Sequence, residues 1–208
     1  LAGTYETYML PNNSRSNRKR LKALTDSIKK IYSSTFKGEA KTLLEKTSHR
    51  IQEEKMAILI QELIGQAYDK TRYYPTFSGV LQSMNYYPVS YMKRNEGVAY
   101  LALGFGRTIV DGEKCLRISP KYPKILPQFY SIKATLQNTQ NQFYGLPLKA
   151  RDQSEEDLKA YSLREAEEDG ALGWVGSVVS HEDNNLRDSL SAKGPRVVSF
   201  SSVLKWDS

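Results

Sequence analysis

The stretch Gly97-Val98-Ala99-Tyr100-Leu101-Ala102-Leu103-Gly104-Phe105-Gly106-Arg107 decides how this chain reads. A short apolar run bounded by glycines has the length and composition of a strand, and the second pair of glycines forms a turn that leaves it. Similar runs lie on both sides. Met56-Ala57-Ile58-Leu59-Ile60-Gln61-Glu62-Leu63-Ile64, ended by Gly65, reads as a buried strand. A polar loop holds Gln66 to Tyr74. Phe77-Ser78-Gly79-Val80-Leu81-Gln82-Ser83-Met84 is a second strand, the run from Gly97 a third, and Lys114-Cys115-Leu116-Arg117-Ile118, with apolar and polar residues alternating, a fourth. Hairpin-like spacing between them favours an antiparallel sheet.

Outward from this cluster the period changes. Leu21, Leu24, Ile28, Ile31 and Tyr32 follow a helical stripe, so about 17 to 35 is a helix, with Ser16 or Asn17 as cap. Ala40, Leu43 and Leu44 suggest a second short helix. Pro120, Pro123 and Pro127 mark a rigid connector. Ile132, Leu136 and Phe143 are spaced for one helix face, and residues 151 to 170 form an acidic surface segment with a short helix. Val197 to Leu204 reads as a last strand, reached through Gly194-Pro195. Helices, a strand cluster, then a helix and a strand make the fold class α+β.

Composition narrows the function classes. The chain has 208 residues and no run of 18 apolar residues, which excludes a membrane-spanning helix. One cysteine, Cys115, allows no internal disulfide and suits a reducing cytoplasm. Inside an alternating run it reads as a small core residue rather than a nucleophile. The two histidines, His49 and His181, lie far apart without metal-ligand spacing, so neither a catalytic residue nor a metal ligand is assigned. The net charge of +7 owes much to Arg15, Arg18, Lys19, Arg20, Lys22, Lys29 and Lys30. These read as the solvated face of the first helix. Aromatics are not interleaved with them as a single-strand platform requires, so nucleic acid is not the expected partner.

Two segments carry chemistry, each with a plain structural reading beside it. In Gly104-Phe105-Gly106-Arg107, followed by Gly112, glycines would let backbone N–H groups approach an anion, and Arg107 would add charge; a tight turn explains the same residues. Around Gln61-Glu62-Leu63-Ile64, an extended backbone could meet an adenine edge while Leu63 and Ile64 cover its face; a core strand explains them equally.

Taken in order, five segments resemble the nucleotide-binding domain of the phosphoenolpyruvate synthase and pyruvate phosphate dikinase family. Ala2-Gly3-Thr4-Tyr5-Glu6-Thr7 resembles that family's Phe-Ala-Gly-x-x-Glu-Thr loop. Ile31-Tyr32-Ser33-Ser34-Thr35-Phe36 is similar to its Ala-Ser-x-Phe-like helix end, and Met56 to Ile64 to its Met-Ala-Val-x-x-Gln-x-Met-Val strand. Ser78-Gly79-Val80 matches its Ser-Gly-Val strand start. Gly104 to Gly112 matches its Gly-Leu-Gly-x-x-Val-x-Gly turn. These motifs cover about residues 1 to 120, and Leu163 to Gly170 and Gly194 to Val198 look similar to a divergent branch.

The resemblance implies an ATP-grasp domain, mostly antiparallel sheet flanked by helices, that clamps ATP with Mg²⁺. The ATP would serve phosphoryl transfer to a histidine on a separate swivelling domain, and then to pyruvate on a third. By position Gln61, Glu62, Leu63 and Ile64 would hold adenine, and Gly3, Thr4, Glu6 and Thr7 would belong to the loop over the phosphates, with Gly104, Gly106 and Arg107 beside them. The whole chain would be one partial domain: loop and helices over 1–50, the strand cluster with the adenine hinge over 51–120, and connector, helix, acidic segment and final strand over 121–208. Arg107 stands where the family usually carries Glu, and Gln82-Ser83 where it carries Phe-Thr. Both ends read as cuts. The family's Arg-Ser-Ser segment and its Asp/Glu-x-Glu-Phe metal strand are not in the sequence, so the chain alone is expected to be inert and to bind nucleotide weakly or not at all. The alternative is a nucleotide-binding sensor or scaffold from a degenerate relative, and Arg107 motivates it.

Overall fold

The computed structural model describes residues 6–37, 55–148 and 158–204. The chain divides into two compact units, Leu1–Ile64 with Leu146–Leu158, and Gly65–Gly145 with Lys159–Ser208. The fold is α+β, with mostly antiparallel sheets flanked by helices.

In the first unit, α1 spans Asn17–Ser34. Ser16 starts it as expected, its side chain accepting from the Lys19 backbone N–H and so satisfying one orphan donor of the first turn. Of the cations read as a solvated face, Arg15, Arg18, Lys19, Lys22 and Lys29 are exposed, but Arg20 and Lys30 are half-buried, Arg20 donating to the Ser14 carbonyl and Asn17 Oδ1 and Lys30 lying over the Tyr8 ring. The proposed short helix at Ala40, Leu43 and Leu44 lies outside the described residues.

The stretch Met56–Ile64 corrects the sequence reading. Its described residues are in no strand, and Leu59 and Ile64 are 79% and 81% exposed. An apolar run of strand length specifies a strand only when a partner edge accepts its backbone groups.

In the second unit, the segment read as a polar loop is instead a hairpin: β1 (Gln66–Tyr68) pairs antiparallel with β2 (Arg72–Tyr74). Its turn places Asp69 and Lys70 at φ 51° and 55° without the glycine that normally announces such a turn. The hairpin is fixed by aromatic burial. The Tyr68 and Tyr74 rings stack at 4.3 Å, Tyr74 meets Phe143 at 4.5 Å, and Phe143 meets Tyr161 at 5.6 Å. These strands belong to a four-stranded sheet in the order β1-β2-β6-β7, where β6 is Gln142–Pro147 and β7 is Lys159–Ser162.

The expected strand cluster is present from its second member onward. β3 (Ser78–Gln82), β4 (Val98–Ala102) and β5 (Leu116–Ile118) form an antiparallel sheet with β4 in the middle. The pairs Ser78↔Ala102, Val80↔Tyr100 and Tyr100↔Arg117 set its register. Because side chains alternate, Ser78, Val80, Tyr100, Ala102 and Arg117 share one face, and Leu81, Ala99, Leu101, Leu116 and Ile118 share the other.

Two further elements differ from the reading. A helix forms over Ile132–Asn138, but Phe143 lies on β6 rather than on its face. Thr139 turns extended at ψ 149° and ends the helix five residues earlier than the apolar spacing suggests, counting from Phe143. The last strand is only Arg196–Val198 (β10), and Ser201–Leu204 is helical. Between them Phe200 sits at φ 54° while fully buried, which no continuing strand allows. β10 pairs with β8 (Gly176–Val179), whose other neighbour is β9 (Leu186–Arg187). The acidic segment contributes α-helix Leu163–Glu168, closed by a capping box between Ser162 and Glu165.

Candidate functional site

The glycine turn after β4 is held by residues far away in sequence. The buried Gln140 side chain accepts from the Leu103 backbone N–H at 2.8 Å and donates to the Leu103 carbonyl at 3.0 Å, so it stands in for a missing strand neighbour. Past it, the Phe105 N–H donates to the Tyr144 carbonyl at 3.0 Å. Gly104 has φ +78°, and a Cβ there would lie 2.7 Å from that carbonyl oxygen. Only glycine fits both the conformation and the approach. Gly106 then begins a single helical turn, Arg107–Val110.

Two motifs separated in sequence meet here. A Cβ on Gly106 would stand 3.6 Å from Ser78 Oγ, at the start of β3. Ser78 Oγ and Thr108 Oγ1 are buried and have no hydrogen-bond partner among the described residues. Buried hydroxyls are normally satisfied, so two unpartnered ones beside a glycine turn are donors that would gain a partner if the turn opened to a polar guest. On the same sheet face as Ser78, Arg117 Nε is also buried and unpartnered.

Arg107 brings the local charge. Its Nε donates to Asp111 Oδ2 at 3.1 Å, one helical turn on, and its guanidinium lies 5.0 Å over the Tyr144 ring. The Tyr144 hydroxyl donates to Glu113 Oε1 at 2.6 Å, and Gln142 Nε2 reaches both Glu113 oxygens at 3.3 and 3.4 Å. The hydrogen bond to Glu113 holds the Tyr144 hydroxyl above its ordinary pKa, and burial adds to it. Arg107 and Tyr144, both half-buried, thus form one wall of the turn, with the guanidinium paired to Asp111 and the hydroxyl to Glu113.

The other expected site residues are dispersed. Gln61, Glu62 and Ile64 are exposed and Leu63 half-buried, on backbone that belongs to no strand. Glu6 accepts from Lys37 Nζ and from the Tyr8 hydroxyl, and its backbone N–H donates to Ser34 Oγ at 3.3 Å. The Lys37 bond and then the Tyr8 bond lower its pKa. Thr7 is exposed; Gly3, Thr4 and His49 lie outside the described residues. His181 is exposed. Cys115 is half-buried, and burial raises its pKa, the opposite of nucleophile activation. Among the described residues no cluster of His, Cys, Asp and Glu could hold a metal, and no helix is long and apolar enough to cross a membrane.

Gln140, Tyr144 and Glu113 were not foreseen. A polar residue after a helix has no signal of its own, and their role depends on β6 passing behind the turn.

A comparison with protein families agrees with the resemblance read from the sequence. The model of the pyruvate phosphate dikinase AMP/ATP-binding domain matches residues 1–188 of the chain. The chain belongs to that family. No curated protein and no solved structure matches it. Membership agrees with the α+β architecture and with an ATP-grasp-like domain, and it makes this an ATP- or AMP-binding type of domain.

Proposed function

We propose that this chain is part of the ATP-binding domain of a dikinase-like phosphotransferase, holding Mg²⁺-ATP for phosphoryl transfer to a histidine on another domain of the parent protein. The convergence of Ser78 with Gly106 supports this most, because it leaves two buried hydroxyls, Ser78 Oγ and Thr108 Oγ1, unpartnered at a glycine turn beside a cation. Once the turn opens to admit them, phosphate oxygens accept from such donors, and phosphoryl transfer depends on positioned donors and cations more than on covalent chemistry. In this reading Gly104, Gly106 and Arg107 address phosphate oxygens. Gln61 to Ile64 separately offer exposed backbone groups to an adenine edge, and Gly3, Thr4, Glu6 and Thr7 belong to a phosphate loop. In this reading the chain works in the cytoplasm and has phospho-histidine and pyruvate-binding domains as its partners.

A second reading is favoured by one observation. Arg107, where the family usually has a carboxylate, is paired with Asp111 and stacked on Tyr144. A cation there cannot ligate Mg²⁺, which suits a domain that binds nucleotide as a sensor without transferring phosphate. Incubating the parent protein with ATP labelled at the β-phosphate and Mg²⁺ separates the two. Label on a histidine supports transfer; saturable binding without label supports the sensor.

A further inference from the structure

We propose that the loop between β3 and β4 and the segment that follows β5, both in the second unit, form a binding surface for single-stranded nucleic acid, distinct from the glycine turn after β4. Sequence reading weighs only the cations of α1, which lack interleaved aromatics. The fold assembles a different combination. Residues 84–96 and 119–133 carry five tyrosines and five lysines or arginines against one carboxylate, Glu96.

Contacts place the two loops side by side. Arg117 on β5 donates through Nη2 to Asn85 Oδ1 at 2.7 Å and to the Tyr87 carbonyl. The Tyr91 ring meets the Tyr122 ring edge-on at 5.4 Å, and the Tyr91 hydroxyl donates to the Ile125 carbonyl at 2.9 Å. Lys121 Nζ lies 3.0 Å from Glu96 Oε1 and 5.3 Å from the Tyr122 ring centroid. The one carboxylate on these segments is therefore already engaged, against their five lysines and arginines. Gln128 caps the strand edge by accepting from the Arg117 N–H at 2.7 Å and donating to the Cys115 carbonyl at 3.2 Å.

What the loops leave outside is unusual for a soluble surface. Tyr87 and Tyr130 are 81% and 82% exposed, and Tyr86, next to Tyr87 in the chain, is exposed as well. Their fixed backbone supports present large aromatic groups with little else to cover them. Lys93, Arg94 and Lys124 are exposed on the same loops. Aromatic faces that stack bases, next to cations that follow a phosphate backbone, are what sequence-tolerant binding of a single strand requires. An acidic peptide would use the cations but leave the tyrosines without a stacking partner.

The test is fluorescence anisotropy with a labelled thymidine oligomer of about 15 nucleotides, the upper end of single-site sizes. Saturable binding is expected. With three or four phosphates neutralised, affinity falls roughly twenty- to fiftyfold between 50 and 200 mM salt. Tyr87→Ala and Tyr130→Ala, both at exposed positions, each weaken binding about fivefold or more, with unchanged thermal melting. Reversing α1 charges, Arg18→Glu with Lys22→Glu, leaves binding within twofold. The proposal is overturned by absence of binding at 50 mM salt, by insensitivity to both tyrosine variants, or by loss that follows the α1 variant instead. Equal affinity for a duplex of the same length, or binding to phosphatidylserine vesicles but not to the oligomer, also overturns it.

Discussion

Arg107 stacks its guanidinium 5.0 Å above the ring of Tyr144, the residue whose carbonyl oxygen also receives the Phe105 N–H. The cation and the turn it serves are thus fixed by the same β6 residue. Arg107→Ala removes the charge while leaving the turn's backbone bonds in place. It is expected to weaken ATP binding about tenfold and AMP binding less, since the charge on the phosphate chain differs. Stability should change by no more than ~0.5 kcal/mol, because the Arg107–Asp111 pair is partly exposed. Calorimetric titration with both nucleotides, alongside urea unfolding, measures each effect.

Gly104 and Gly112 both have positive φ, at +78° and +72°, but only Gly104 is crowded. Gly112→Ala meets nothing within 4 Å and carries only the conformational cost, about 1 kcal/mol. Gly104→Ala adds a collision with the Tyr144 carbonyl and is expected to cost at least ~2 kcal/mol more. Equal losses in urea unfolding would mean that the close approach is not present in solution.

Asp169 joins the first hairpin to helix Leu163–Glu168. Arg72 donates to it from Nε at 2.6 Å and from Nη2 at 2.8 Å, and the Tyr74 hydroxyl donates at 2.6 Å. Burial, then the bond to Asp169, raises the Tyr74 pKa. Asp169→Asn removes the nearer, two-pronged counter-ion of the largely buried Arg72 and leaves it only Glu165 at 3.4 Å, and should cost about 2–3 kcal/mol. Arg164→Ala, whose partner Glu168 is exposed, should cost under ~0.5 kcal/mol. Unfolding curves of the two variants test the contrast.

Acid should loosen the Ser189–Pro195 loop before it unfolds the core. Arg196 donates to Glu167 at 2.6 Å and to the carbonyls of Leu190, Ala192 and Gly194. The Arg196 bond lowers the Glu167 pKa below its ordinary 4.5. A depressed acid contributes stability that is full above its unfolded pKa and lost as pH falls through the folded one. Hydrogen exchange of the loop should therefore be level above about pH 5 and quicken, relative to its intrinsic rate, below about pH 4. Glu167→Gln should abolish that dependence.

How much could be read beforehand followed from locality. The first helix was legible because Ser16 and the stripe from Leu21 to Ile31 act within one element. Strands β3, β4 and β5 were legible because alternation and flanking glycines coincide. The hairpin at Gln66–Tyr74 was hidden, since Asp69 and Lys70 adopt positive φ without glycine and the hairpin is fixed by Phe143 and Tyr161 from distant strands. The run Met56–Ile64 had the composition of a buried strand but not its pairing. At the site, Gly104, Gly106 and Arg107 were visible as a motif. Gln140 and Tyr144, which hold that motif, were not, because their contribution is a contact across at least 37 residues.

The most direct test of the account is calorimetric titration of the folded chain with Mg²⁺-ATP, repeated with Ser78→Ala and Thr108→Val. Saturable binding, at or tighter than about 1 mM (~−4 kcal/mol), that weakens in both variants without loss of folding is the predicted result. No saturable heat from the folded chain, or binding indifferent to both hydroxyls, would contradict the assignment of the Ser78–Gly106 convergence to the nucleotide.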